Sequence, residues 1–295
     1  MAIESPNQEI ITYEQNVSVL PIDHEIMFSN NKNVYKKRIE KRQNKLLKKI
    51  TFIKNFLDED EKIYLITTGC SPASFLEQWT VGWIFIYLKR SLFVFSNKHI
   101  FHIPTKRDYS YRNSIAQILY ADCQSIEIKG RKLVVEYKVV KKEKFLYIAG
   151  KEKKKIKSLL PSISFEGESS KSQMKTHLCP RCRKELEANH YLCGNCNLEF
   201  KNKDEARKIS ILYPGGGYFY TRHPWLGIGD AIVEIALLIG VIISLVDLIN
   251  GVAGSGVSLV IYAILLFIEK VITVYHSNHF IEEYIPKEKE ITVFA

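Results

Sequence analysis

Acidic residues are in short supply in this chain. Against 42 Lys and Arg stand 32 Asp and Glu, leaving a formal net charge of +10 over 295 residues. That imbalance argues against cationic partners and favours acidic lipid, nucleic acid or an acidic protein face. Histidines are scattered: His102, His177, His190, His223, His276 and His279 share no local pattern with paired acids. No nucleophile–base motif accompanies them, which argues against an enzyme. The N-terminal stretch MAIESPNQEIITYEQ lacks a basic start followed by an apolar run, so no secretory signal is expected. Cysteine numbers only six, and four of them fall between residues 179 and 196. Cys70 and Cys123 stand alone in apolar surroundings and read as buried free thiols. Free thiols beside a thiolate cluster suit a reducing compartment, which places this part of the chain in the cytosol.

Residues 1–31 are polar and irregular and are read as a loosely ordered segment. Residues 32–57 read as a basic amphipathic helix. Tyr35, Ile39, Leu46, Ile50, Ile53 and Leu57 recur at helical spacing with a gap at Gln43, and Glu40 is the single acid between Lys32 and Lys54. Lys36, Lys37, Arg38, Lys41, Arg42, Lys45, Lys48 and Lys49 would face a neighbouring anionic surface, lipid headgroups ahead of nucleic acid. The same stripe also suits a helix docked on its own protein.

Residues 58–160 change character. EKIYLITTG reads as a strand, SLFVFSNKHIFHIP as two strands turning at Ser96–Lys98, and QSIEIKGRKLVVEYK as another pair turning at Lys129–Arg131. EKFLYIAG is a further strand, and KEKKKIKSLLPSI a short helix ending before Pro161. Successive strands and a closing helix predict a small antiparallel sheet or partial barrel capped at its C-terminal end. SPASFLEQWTVGWIFIYLKRS interrupts the strands with Trp79, Trp83 and the pair Lys89 and Arg90. It suits either a segment lying among headgroups or a cover over the sheet. The hairpin FVFSNKHIFHI and the order of strands followed by a helix resemble the bacterial pleckstrin-homology-like domains. That resemblance implies a fold, and it does not by itself imply a ligand. Residues 161–178, polar and rich in serine, read as a linker.

CPRCRKELEANHYLCGNC, at 179–196, carries two Cys-x-x-Cys pairs across a ten-residue loop. Each pair makes a knuckle gripping one edge of a tetrahedral ion, so Cys179, Cys182, Cys193 and Cys196 are the expected metal ligands and zinc the expected cofactor. Pro180 and Gly194 follow the first cysteine of each pair, where a constrained and a permissive backbone are expected to shape the turn. The stretch 179–205 resembles the short zinc ribbons of bacterial membrane and regulatory proteins. Four thiolates leave no open position for water or substrate, so the zinc is expected to be structural. His177 and His190 are read as bystanders.

Residues 206–295 contain apolar stretches at about 226–249 and 255–275, separated by Asn250–Gly251 and Gly254–Gly256. The first is long enough to cross roughly 30 Å of hydrocarbon; the second has fewer uncharged residues, with Glu269 and Lys270 near its far end where lysine can snorkel. A transmembrane helical hairpin with a cytosolic tail is expected. The connecting loop has no Lys or Arg, while Arg207, Lys208 and Arg222 precede the hairpin and Lys287 and Lys289 follow it. The positive-inside rule then puts both termini in the cytoplasm, and the resemblance to bacterial domains implies a bacterial inner membrane. LYPGGGYFYTRHP lacks the Gly-Lys-Ser/Thr ending of a phosphate-binding loop. It resembles the opening of TM2-like two-helix membrane modules. Asp230 and Glu234 are intramembrane acids one helical turn apart near the start of the first span; the helix dipole favours Asp230 near the N-terminus, and the deeper Glu234 is expected to pair with Arg222, His223 or a second copy.

The sequence therefore predicts an α+β multidomain membrane protein. Its expected role is a non-enzymatic adaptor whose cytosolic part contacts anionic lipid or a partner protein, with the ribbon serving protein interaction. Homo-oligomerisation through the hairpin fits the same pattern. The alternative is a membrane-tethered nucleic-acid-binding or regulatory protein.

Overall fold

Runs such as SLFVFS and HIFHIP are apolar at nearly every position rather than at alternate ones, the pattern of strands covered on both faces. The computed structural model describes residues 20–73, 78, 84–139 and 141–288, and the covering is visible in it. Strands β1 (Ile63–Cys70), β2 (Arg90–Ser96), β3 (His99–Pro104) and β4 (Ile115–Leu119) form an antiparallel meander. A second sheet holds β5 (Cys123–Lys129), β6 (Lys132–Tyr137) and β7 (Lys142–Phe145). β8 (Thr176–Leu178) joins the first sheet beside β4. Beyond β7, Leu146 bridges Cys70 of β1, so the two sheets meet at that corner.

Successive residues of β2 point into different cores. Phe93 and Phe95 pack with Ile126, Ile128, Leu133, Val135 and Tyr137 of the second sheet, and with Ile156 and Leu159 of helix α4 (Gly150–Leu159). Leu92 and Val94 pack the other way, with Ile66, Phe101, Met27, Leu47, Ile50 and Ile53. Met27, Leu47, Ile50 and Ile53 belong to an N-terminal layer built from α1 (His24–Phe28), α2 (Lys37–Leu47) and a 3₁₀ turn (Thr51–Phe56). α3 (Phe85–Leu88) is a single short turn before β2. Lys155 of α4 ties the N-terminal layer down, donating to the carbonyls of Met27 at 2.9 Å and Ser29 at 2.6 Å. Arg42 adds an ion pair at 2.5 Å to the buried carboxylate of Glu152.

The basic helix is shorter than its periodicity suggests. It stops at Leu47, and the tighter turn Thr51–Phe56 that follows keeps Ile50 and Ile53 buried. The gap at Gln43 has a physical cause. β1 is an edge strand, and Gln43 is wholly buried against it: its amide donates to Ile66 O at 2.9 Å and accepts from Ile66 N–H at 3.0 Å. A polar residue in the apolar stripe thus satisfies two backbone groups that would otherwise be buried alone. Of residues 161–178, read as a linker, Ser170 is tied to Asp122 through its backbone N–H at 2.9 Å, and 176–178 are strand β8.

By compactness the chain divides into two units. Of the described residues, one comprises 20–188 with Cys193–Cys196, the other Asn189–Leu192 with 197–288. The second is helical: α5 (Lys203–Leu212), α6 (Gly216–Tyr220), α7 (Pro224–Ile249) and α8 (Ser255–Ile281). Asn202 caps α5, its side chain accepting from Glu205 N–H at 2.8 Å. α7 and α8 have 26 and 27 residues, with 18-residue stretches of mean hydropathy 2.7 and 2.3, and both are long and apolar enough to cross a membrane. Between α5 and α6 the chain reverses at Gly215, whose φ of 66° suits glycine. A Cβ on Gly217 would collide with the hydroxyls of Ser210 and Ser277, so glycine lets α6 lie against α5 and α8.

Candidate metal centre and charged clusters

Strand β8 ends at Leu178, and the first knuckle begins at the next residue. Cys179 N–H donates to Lys184 O at 2.8 Å and Arg183 N–H to Cys179 O at 2.9 Å, closing a tight hairpin around the Cys179–Cys182 pair. The four sulfurs lie within 4.8 Å of one another, with Cys179 Sγ 3.5 Å from Cys196 Sγ and Cys182 Sγ 3.5 Å from Cys193 Sγ. A tetrahedron of zinc–sulfur bonds of about 2.3 Å has edges of about 3.8 Å, so the arrangement suits an ion at its centre. Donors surround the sulfurs: the backbone N–H groups of Arg181 and Cys182 serve Cys179, and that of Lys184 with the Asn195 side chain serves Cys182. Such donors lower the cost of holding thiolates together. These four cysteines could hold a metal ion, and with every sulfur turned inward no protein position is left open.

The sequence placed the permissive backbone at Gly194. In the structure the left-handed residue comes instead directly after the second cysteine of each pair: Arg183 with φ 65° and Asn197 with φ 55°. Asparagine tolerates that region, whereas arginine is strained there by about 1 kcal/mol.

The two remaining cysteines are buried and separate from the cluster. Burial pushes the Cys70 thiol up to about 11 and, with Asp122 adding to it, Cys123 up to about 12, so neither is poised as a nucleophile. His102 is fully enclosed and stacks on Phe93. Its Nε2 lies 2.9 Å from Ser71 Oγ and 3.1 Å from Ser91 Oγ. Burial, then the charges of Lys175 and Lys89, hold His102 well below the usual imidazole range. Glu61 and His99, both buried, pair at 2.5 Å, and Glu61 also accepts from Ser96 Oγ and from Asp58 N–H. That cluster locks the β2–β3 turn.

The basic residues of the N-terminal layer divide into two kinds. Lys36, Lys37, Arg38, Lys41, Lys45 and Lys48 are exposed, and Lys37, Lys41, Lys45 and Lys48 border one shallow groove with Glu40 and Asn44. Arg42 is engaged with Glu152, and Lys49 lies 3.5 Å from Asp108. Leu47, Ile50 and Ile53 of this layer are spent on the sheet, while Val34 and Tyr35 stay exposed beside the charged face. Lys89 is 1% exposed and is not available to a headgroup: its carbonyl accepts from Ser71 N–H at 2.8 Å, where β2 enters the core. Arg90 lies over the Tyr109 ring at 4.7 Å. Trp79 and Trp83 fall outside the described residues.

In the helical unit Asp230, Glu234 and Glu269 come together. The sequence suggested Arg222 or His223 for Glu234, yet Lys270 of α8 takes that place at 2.7 Å. Gly215 N–H donates to the other Glu234 oxygen at 3.1 Å, and Lys270 also donates to Ser210 O at 2.7 Å. Thr273 Oγ1 lies 3.1 Å from Asp230 Oδ1 and 2.8 Å from Glu269 Oε1. Arg222 instead donates to the carbonyls of Pro286 at 2.9 Å and Glu288 at 2.6 Å. Lys270 was legible as a cation near the end of the second stretch, but its register against Glu234 depends on how the hairpin folds back.

No protein-family model, curated protein or solved structure matches this chain significantly.

Proposed function

We propose that the protein is a non-enzymatic adaptor anchored by α7 and α8 in a bacterial inner membrane, with both termini in the cytoplasm and the ribbon held by structural zinc. Cys179, Cys182, Cys193 and Cys196 would bind the ion. Its role would be to fix the two knuckles, presenting the surface between them to a protein partner. Residues 58–160 are read as a pleckstrin-homology-like domain, supported by a four-strand meander, a three-strand meander and the closing helix α4.

The observation that carries the reading is the exposed row Lys37, Lys41, Lys45 and Lys48 on a helix whose apolar side is already buried. Such a face attracts an anionic surface by charge without inserting into it. Each lysine near an acidic leaflet contributes about 1 kcal/mol. The row itself holds lysines only, and the exposed Tyr35 beside it donates its hydroxyl to Glu40; a single ring is not a stacking platform, which favours lipid over single-stranded nucleic acid.

The test uses the whole chain in phosphatidylcholine nanodiscs, mixed with phosphatidylcholine or phosphatidylglycerol vesicles across a salt series, with DNA as competitor. Capture of the acidic vesicles alone, weakened by salt and by changing the four lysines to Glu, is the expected result. Equal capture of both vesicles, or full displacement by modest DNA, would overturn it in favour of another partner.

A further inference from the structure

α5 and α6 make up a second, shorter hairpin in the helical unit, and hydrogen bonds fix how far it runs along the spanning pair. α5 lies antiparallel to the C-terminal part of α8: Lys203 pairs with Glu282 at 2.9 Å near one end, and Ser210 O accepts from Lys270 at 2.7 Å near the other. The turn then reaches Glu234, which accepts from Gly215 N–H at 3.1 Å. Glu234 lies ten residues into α7 and Lys270 fifteen residues into α8. At 1.5 Å per residue those positions are about 15 Å and about 22 Å along their helices. Measured from the Asn250–Gly254 connection, 22 Å falls within a hydrocarbon core of about 30 Å. The Pro214–Gly215 turn therefore lies at a depth that the spanning helices assign to hydrocarbon.

The outward side of α5 changes along its length in the same sense. Asp204, Arg207 and Lys208 are exposed in its first two turns, and Ile211, Leu212 and Tyr213 are exposed at its end. Leu212 is 69% exposed, Phe219 on α6 is 45% exposed and Trp225 at the start of α7 is 86% exposed. Their apolar surface is continuous in kind with that of Phe267 and Val271 on α8, which are also exposed. Water would not tolerate so much uncovered apolar surface at a helix end, whereas acyl chains would. The turn's backbone N–H at Gly215 has a carboxylate partner, as irregular backbone at membrane depth requires.

We propose that α5, the Tyr213–Gly216 turn and α6 form a re-entrant hairpin in the leaflet remote from the Asn250–Gly254 connection, with Ile211, Leu212, Tyr213 and Phe219 against lipid acyl chains and Arg207 and Lys208 at the phosphates. The inference rests on the spanning reading of α7 and α8.

The test uses the full chain with Trp79, Trp83 and Trp225 changed to Phe, reconstituted in phosphatidylcholine–phosphatidylglycerol vesicles. One reporter is added at a time: Leu212→Trp, Tyr213→Trp, Asp204→Trp, or Ile243→Trp in the middle of α7. Emission is quenched either by acrylamide in water or by phospholipid brominated in its acyl chains. The Leu212→Trp and Tyr213→Trp reporters should show blue-shifted emission, quenching by bromine and loss of acrylamide quenching. Ile243→Trp should behave alike, and Asp204→Trp should respond to acrylamide. Acrylamide quenching of both Leu212→Trp and Tyr213→Trp at the Asp204→Trp level would overturn the proposal. So would shielding from both quenchers, which would mean that a second copy covers the turn. An Ile243→Trp reporter that ignores brominated lipid would overturn the spanning reading itself, and this inference with it.

Discussion

Replacing Gln43 with leucine tests how the basic helix is held on the sheet. Periodicity alone would call the change an improvement, because it completes the apolar stripe from Ile39 to Ile50. The structure says the reverse. Burying the leucine side chain would gain about 1 kcal/mol of transfer energy over the glutamine stem. Against that, Ile66 would lose the acceptor for its N–H and the donor to its C=O, both buried at the edge of β1. Each orphaned backbone group costs about 1–3 kcal/mol, so with two of them the net loss should be about 1–5 kcal/mol. Since 1.4 kcal/mol is a factor of ten, local opening of β1 should rise at least about fivefold. Hydrogen–deuterium exchange of the detergent-solubilised chain reads this directly in peptides covering residues 60–70. Faster exchange there, with the second sheet unchanged, is the expected result. A Gln43→Leu protein whose β1 amides stay as protected as the parent's would refute the reasoning.

Three further outcomes follow from the same geometry. Arg183→Gly relieves a left-handed arginine, so the variant should resist chelator-induced unfolding better by about 1 kcal/mol; easier metal loss would contradict the strain argument. Glu234→Ala should cost about 3–5 kcal/mol by leaving Lys270 without its buried partner, and adding Lys270→Met should restore much of it in a thermal double-mutant cycle. Additive losses would mean the pair is not coupled. His102 is held neutral in the folded chain while the unfolded chain takes up a proton below about pH 6.5, so stability should fall as pH drops through that value. His102→Gln should flatten this part of the acid limb; an unchanged slope would assign it to other groups.

Local signals were the readable ones. The β2–β3 and β5–β6 turns, the paired cysteines and the two long apolar helices each advertise themselves within a few residues, and the structure has each at the expected place. What was hidden depends on partners far along the chain. β4 is only five residues long, and β8 is three residues of a serine-rich stretch that become a strand only because β4 offers an edge. Gln43 reads as a break in a pattern until β1, 23 residues on, supplies its partner. Lys270 as the companion of Glu234 needed the register of the hairpin. Of the two left-handed knuckle residues, Asn197 has a side chain that favours a positive φ and was open to reading, whereas Arg183 carries no such sign.

Metal analysis of the purified full chain, with X-ray absorption at the zinc edge, asks whether the four cysteines hold the ion. One zinc per chain is expected, in an all-sulfur shell of four ligands at about 2.3 Å. Cys193→Ser should strip the ion and expose the ribbon to protease. A chain that purifies without metal and keeps the ribbon protected, or a zinc bound by fewer sulfurs with a water in the remaining position, would contradict it.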